Sequence, residues 1–535
     1  MNIDIKTYCE KIRGCFLGKN IGGTLGAPFE GKRGVLDIDY YTHDLSMGVL
    51  PNDDLDLQLV WLIAAERYGR AVNAEILAQY WLTYIVADWV EYGNGKNNLR
   101  AGLPIGESNR HENSFMNSCG CFIRSEIWAC LAPGRPDIAV KYAFEDGIID
   151  HADEGLYGEI FMAAAESAAF VIKDIRKLIE IALSYIPKQS DTAKAILLAI
   201  ECYDKGLTWK EARKKILESF PSGFGLYNLG SYVTEYVTPK DDDIREDCNC
   251  WGYDAPANVA ITVMAAIYGE GDFSKAVCIA TGCLEDADCT AGSVGAIYGI
   301  MFGPECIDEK WLAPIGDEIK TVSIDRTKKS EYVNRFPTTV SELTDRIIRL
   351  MPSFMNEDYN PATGVIEVTD PRTAAAKRFK SAYTKDKIVT DEEFIERLFE
   401  DDSTSNLYHK LTSTEKRVLR NSGIIKSNCL VEAIMVPDDG YEIKAETEKT
   451  FTMYFENIHV NQQWLNIKIG FPEEWESHSK EVSLFLYENY PNRYDTVKVS
   501  FIPKNLTKNR YDIPVSISVV GRNIELNTKI VFFVK

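Results

Sequence analysis

Two acidic pairs in this chain have the residue types and spacing to hold a hard cation. Asp286 and Asp288 stand one residue apart in LEDADCTAGSVGAIYGIMFG, residues 284–303. Asp53 and Asp54 follow Pro51-Asn52 and open LDLQLVWLIAAERYG. Both pairs sit where an apolar helix begins. A carboxylate there is favoured by the free N–H groups and the helix dipole, so each pair read alone is an N-cap. Two such starts far apart in sequence could converge, and their oxygens are the donors that Mg²⁺ and Mn²⁺ take. Cys289 would put a soft sulfur beside them, which suits Mg²⁺ poorly.

The elements that must bring the pairs together are legible in outline. Ala291, Gly292, Ser293, Gly295, Ala296 and Gly299 make a run that reads as a buried helix with very close neighbours, because glycine inside a helix needs a packing reason. Near the N-terminus, Tyr8, Ile12, Cys15, Phe16 and Ile21 recur at helical spacing over 5–22, and Gly22-Gly23 and Pro28 are expected to end that helix before Glu30. Helices are expected at 74–91, 170–186, 190–205 and 209–219. The stretch from Glu91, EYGNGKNNLRAGLPIGESNRHENSF, reads as a long loop.

With these residues in view, the chain resembles the ADP-ribosylglycohydrolases, the family that includes the dinitrogenase-reductase-activating glycohydrolases. GCFLGKNIGGTLGAPFEG (14–31) is similar to the family's first motif, G-x-x-x-G-x-x-x-G-D-x-x-G-x-x-x-E, with Glu30 at its end and Gly23 in place of the aspartate. Asn52-Asp53-Asp54 matches a Thr-Asp-Asp, and Asp286-Ala287-Asp288-Cys289 an Asp-x-Asp-Thr that normally follows Gly-Gly, here Leu284-Glu285. Residues 117–124 resemble G-N-G-A-A-M-R, with Gly120 and Arg124 matching and Cys119 at the asparagine position. Asp150-His151-Ala152-Asp153 resembles a Thr/Ser-His-x-Asp, and Tyr253 a Gly-Tyr helix entry.

The resemblance covers about the first 350 residues and implies an all-α domain with a centre of two Mg²⁺ or Mn²⁺ ions. It implies Asn52, Asp53, Asp54, Asp286, Asp288 and Cys289 as metal positions, and Glu30 and Asp286 as catalytic residues. Gly120, Arg124, His151 and Tyr253 would be substrate contacts. The activity implied is hydrolysis of an ADP-ribosyl or related ribosyl glycosidic bond, on an ADP-ribose-like small molecule or an ADP-ribosylated protein. A catalytically inactive binder on the same fold, and a nucleoside or glycoside hydrolase, are the alternatives.

Composition bounds the rest. At 535 residues the chain is long enough for two or three domains. Its net charge of −21 argues against a nucleic-acid partner or an anionic membrane surface. Thirteen cysteines without C-x-x-C spacing read as free thiols in a reducing, cytoplasmic setting, and zinc ranks low. From Cys429 onward about seven runs alternate apolar and polar residues between turn signals, which predicts an Ig-like β-sandwich that could take a protein partner. The expected division is a helical domain over 1–351, a connector with short helices (DEEFIERLFE and STEKRVLRN) over 352–428, and the sandwich over 429–535.

Overall fold

The computed structural model describes residues 1–221, 252–324, 336–375 and 424–535, apart from Arg33 and short stretches at 428–429, 439–441, 458, 460, 478, 489–493 and 523–524. The helices expected within DEEFIERLFE and STEKRVLRN lie outside the described residues. The chain divides into two compact units. One comprises Met1–Arg70, Thr83–Asn98 and Ile105–Phe399; the other comprises Ala71–Leu82, Leu99–Pro104 and Glu400–Lys535.

The first unit is helical and is built on one unusually close helix pair. The first helix, Ile5–Gly26, begins at Asp4, whose side chain accepts from the Thr7 backbone N–H. It does not stop at Gly22-Gly23 but runs on to Gly26. Its glycines fall every fourth residue, so they line one face. That face lies on the Ala287–Phe302 helix in antiparallel register, with Gly14 over Gly299, Gly18 over Gly295, Gly22 over Ala291 and Gly26 over Ala287. A Cβ on Gly18 would come within 2.2 Å of the Gly295 carbonyl oxygen, and one on Gly22 within 2.2 Å of that of Ala291. The helix-breaking residues persist here because only they let the two backbones touch.

Other helices close round this pair, among them Asp56–Tyr68, Asp153–Ala169, Asp191–Asp204 and Ala255–Tyr268. Trp61, Trp128 and Trp311 are wholly buried among them. A three-stranded sheet ties the ends of the unit together: Asn2–Asp4 pairs antiparallel with Val365–Glu367, which also pairs with Tyr359–Asn360. The glycine- and asparagine-rich stretch after Trp89 is not loop throughout. Val90–Arg100 is a helix. Gly95 allows the approach of Asp150, and the buried Lys96 ammonium is taken by the carbonyls of Ile85 and Ala87 and by Asp88.

The second unit holds the C-terminal β region. One five-stranded sheet has the order Glu481–Leu486, Gln463–Ile469, Arg510–Val519, Glu525–Val534, Glu442–Ile443. The other runs Ile424–Ser427, Val431–Pro437, Lys449–Asn457, Tyr494–Ile502, Glu476–Ser477. All pairings are antiparallel except that of Glu525–Val534 with Glu442–Ile443. The inner faces meet in a core of alternate residues, with the Phe501 and Phe532 rings 5.1 Å apart. The chain is thus an all-α domain followed by a β-sandwich. No helix among the described residues is long and apolar enough to cross a membrane. Every cysteine among them is a free thiol.

Candidate functional site

The acidic residues at the two helix starts and Glu30 meet at the end of the close helix pair. After Gly26 the chain makes a short turn, Ala27–Phe29, and delivers Glu30. Two backbone hydrogen bonds then lock this turn to the opposite helix start: Gly31 N–H donates to the Glu285 carbonyl (2.8 Å) and Glu285 N–H to that of Lys32 (3.0 Å). Glu30 is thereby held beside Asp286.

Leu284 and Glu285 both adopt left-handed backbone, with φ of 58° and 63°. Glycine takes that conformation freely and branched or long side chains do not. Here the strain is offset by anchoring. Leu284 is buried against Phe29 and Ala287, and the Glu285 carboxylate meets Arg213 at 3.1 Å in a buried ion pair.

Neither Asp286 nor Asp288 is a helix cap. Asp286 occupies the N-cap position but makes no capping hydrogen bond. Both side chains are buried, and the Oδ1 atom of each has no hydrogen-bond partner. A buried carboxylate oxygen left without a donor costs several kcal/mol unless it is protonated or meets a cation. Accordingly burial, and then the nearby Glu30 charge, push the Asp286 carboxyl up to about 8 and that of Asp288 well above its ordinary value. Glu30 is raised too, first by burial and then by Asp54, while the Tyr253 hydroxyl donating to its Oε1 (3.2 Å) pulls it back. Glu30, Asp286 and Asp288 can each bring one oxygen to within 4.8 Å of the others. This all-oxygen set with orphaned acceptors fits a hard divalent cation.

The second acidic pair is arranged differently. Asn52 caps the turn at Asp53–Leu55, its Oδ1 accepting from Asp54 N–H at 2.7 Å. Its amide nitrogen points at Asp288 Oδ2 (3.2 Å), so the Asn52 oxygen expected for a cation is already engaged by the Asp54 backbone. That amide also fills the space over Gly23, where a Cβ would lie 2.5 Å from Nδ2. Asp54, Asp288 and Cys289 form a second cluster within 4.8 Å, yet Asp54 already has partners. The Cys289 thiol donates to Asp54 Oδ1 (3.2 Å), and the ammonium of Lys19 lies 3.1 Å from Oδ2.

A cavity of about 390 Å³ opens on this corner, a size suited to a small ligand. Glu30, Asp53, Cys119, Gly120, Tyr253, Asp286 and Cys289 line it, together with Trp89, Glu91, Tyr92, Ser118 and Ile123. Burial raises the carboxyl of Asp53, with the neighbouring Asp54 adding to the effect. Gly120 is required by close approach, since a Cβ there would sit 2.2 Å from Glu91 Oε1.

Arg124 and His151 stand behind the cavity wall and do not line it. Arg124 binds Asp146 and Asp150 (2.8 Å each) and donates to the Gly120 carbonyl (2.9 Å), so it shapes the 117–124 turn from within. It is not placed to reach a phosphate in the cavity. His151 lies 2.9 Å from Asp150 through Nδ1 and shares a hydrogen bond with Ser118 Oγ through Nε2 (2.9 Å). The same turn is pinned to the Tyr253 entry by Cys119 N–H to the Tyr253 carbonyl (2.7 Å).

Sequence reasoning missed Lys19, Glu91 and Trp89. Lys19 is a lone cation in an otherwise apolar and small helix face, which is a readable signal of a buried partner. Glu91 and Trp89 lay in and beside the stretch read as loop. Burial pushes the Glu91 carboxyl up to about 7 against the opposing pull of His151. The Trp89 indole remains 44% exposed and stacks on the Tyr92 ring at 6.3 Å, and both line the cavity.

Among the solved structures that match, two illustrate how distant the likeness is. One is an ADP-ribosylglycohydrolase-related protein complex, at 17% identity and a TM-score of 0.37, covering 65% of this chain and 99% of the other. The other is a Pseudomonas fluorescens alkylpurine DNA glycosylase, AlkC, bound to DNA containing an abasic-site analogue, at 11% identity and a TM-score of 0.15, covering 69% and 99%. No curated protein matches. The sequence model of the ADP-ribosylglycohydrolases matches residues 4–349, which takes in every residue of the acidic corner and its cavity, and the chain belongs to that family.

Proposed function

We propose that the helical unit hydrolyses an ADP-ribosyl, or related ribosyl, glycosidic bond with the help of a divalent cation, Mg²⁺ or Mn²⁺. The observation that carries this reading is the meeting of Glu30, Asp286 and Asp288, with two orphaned buried oxygens, at the wall of a ligand-sized cavity. A cation held by these three would neutralise their charge, orient the ribose hydroxyls and acidify a water.

The chain's own residues supply the rest. Tyr253 holds one Glu30 oxygen, leaving the other to take a proton from the attacking water. The carboxylates surround a sugar centre that becomes positive as the bond to the leaving group breaks, and they favour that charge. Glu91, which burial keeps protonated to about pH 7, is the candidate to give a proton to the departing group. Trp89 and Tyr253 offer aromatic faces to the sugar or its base. The protein carrying the ADP-ribosyl group and any protein bound by the β-sandwich belong to the same proposal.

The test is release of ADP-ribose from an ADP-ribosylated protein, run beside free nucleosides, with Mn²⁺ present. Glu30→Gln should lower turnover by about a hundredfold or more. Binding of ADP-ribose with no turnover of any ribosyl substrate would make the chain an inert binder and end the hydrolase reading.

A further inference from the structure

The second acidic cluster contains a cation of its own. Lys19 follows Gly18 on the first helix, its side chain lies against Gly292 of the partner helix, and that side chain has no solvent exposure. Three oxygens surround its ammonium: Ile123 carbonyl at 2.8 Å, Glu126 Oε1 at 2.8 Å and Asp54 Oδ2 at 3.1 Å. An ammonium has three N–H donors, so it is fully used. Its charge is held firmly; Asp54 and Glu126 outweigh the cost of burial.

Asp54 already has a partner at each oxygen, with the Lys19 ammonium 3.1 Å from one and the Cys289 thiol at the other. A Mg²⁺ or Mn²⁺ ion in this cluster would have to accept a soft sulfur and sit against a fixed positive charge, and both oppose it. The cluster of Glu30, Asp286 and Asp288 brings three carboxylates together with no ammonium against them among the described residues, although the Cys119 and Cys289 thiols also hydrogen-bond to Asp286.

We infer that this chain takes a single divalent cation, on Glu30, Asp286 and Asp288, and that the Lys19 ammonium permanently occupies the role of a second cation at Asp54. The inference rests on the metal-assisted reading above and narrows it. It assigns Lys19 as a positioning residue that pairs with Asp54 and, through the Ile123 carbonyl, braces the cavity wall.

The experiment is a Mn²⁺ titration of the 535-residue chain by calorimetry, with bound metal counted after dialysis. One ion per chain is expected. Asp288→Asn should weaken binding by about tenfold or more, while Asp54→Asn should leave the affinity within about threefold. Lys19→Met should admit a second ion; if that variant fails to fold, the Asp54→Asn comparison decides. Two ions per folded wild-type chain, or loss of an ion in Asp54→Asn, would overturn the single-cation inference and leave the hydrolase reading standing. No Mn²⁺ bound by the folded chain would overturn both.

Discussion

At the scale of single residues, the site is a group of acids whose protons matter. Glu91 gives the cleanest case, because it lies apart from the proposed cation. Its folded value of about 7 stands above the ordinary 4.5, so the folded chain holds this proton more tightly than the unfolded one. Its contribution to stability is therefore intact below about pH 4.5 and is lost as pH rises through 7. Glu91→Gln cannot titrate. Between pH 4 and 8 the wild type should lose about 3 kcal/mol relative to this variant, from about two and a half pKa units at 1.36 kcal/mol each. Thermal unfolding of both proteins at the two pH values measures it; parallel curves would place Glu91 in contact with water. If Glu91 is the proton donor, wild-type activity should also fall above about pH 7, and Glu91→Gln should turn over slowly with that alkaline limb gone. Trp89→Ala should raise KM by about tenfold with a smaller effect on kcat, as expected for an aromatic face worth about 1.4 kcal/mol of binding.

At the scale of elements, the close helix pair decides what can be changed. Gly18→Ala improves helix propensity by about 1 kcal/mol in an isolated helix. Here the added methyl meets the Gly295 carbonyl at 2.2 Å, and neither backbone can yield without parting the helices. A net loss of about 1–3 kcal/mol is expected from denaturant unfolding, and a gain would mean the pair is looser than described. The small-residue run of 291–299 was readable as a close-packed helix because glycine there had no other excuse. The first helix was cut short at Gly22-Gly23 for the opposite reason: local propensity speaks of breakage, and only the partner, some 270 residues later, turns the same glycines into a contact surface. Val90–Arg100 was hidden similarly, since its glycines and asparagines serve tertiary neighbours such as Asp150. The acidic corner itself was legible, because its carboxylates stand at two helix starts with no basic residue nearby in sequence. Lys19, which divides that corner into a charged and a neutralised half, was passed over as one more residue of a helix. The strain at Leu284-Glu285 left its mark only as a departure from an expected Gly-Gly.

At the scale of the whole chain, seven alternating runs at the C-terminus were enough to foresee a sandwich, because period-two patterning depends on little beyond the strand itself. The helical unit is another matter, for its central contacts join distant ends of the sequence. The first helix is matched residue by residue to Ala287–Phe302, and the strand before it to Val365–Glu367. This has a consequence for synthesis. At ribosomal speeds of roughly 5–20 residues per second, the first helix emerges on the order of tens of seconds before its partner exists. Through that interval its bare glycine ridge has nothing to dock on. A nascent chain stalled before residue 284 should therefore show fast amide exchange throughout residues 5–26, and protection should appear only once the partner helix has left the exit tunnel. Slow exchange in the shorter chain would show that the helix finds another resting place first. The half-site carried by Glu30 is thus among the first parts of the protein to be made and among the last to be assembled.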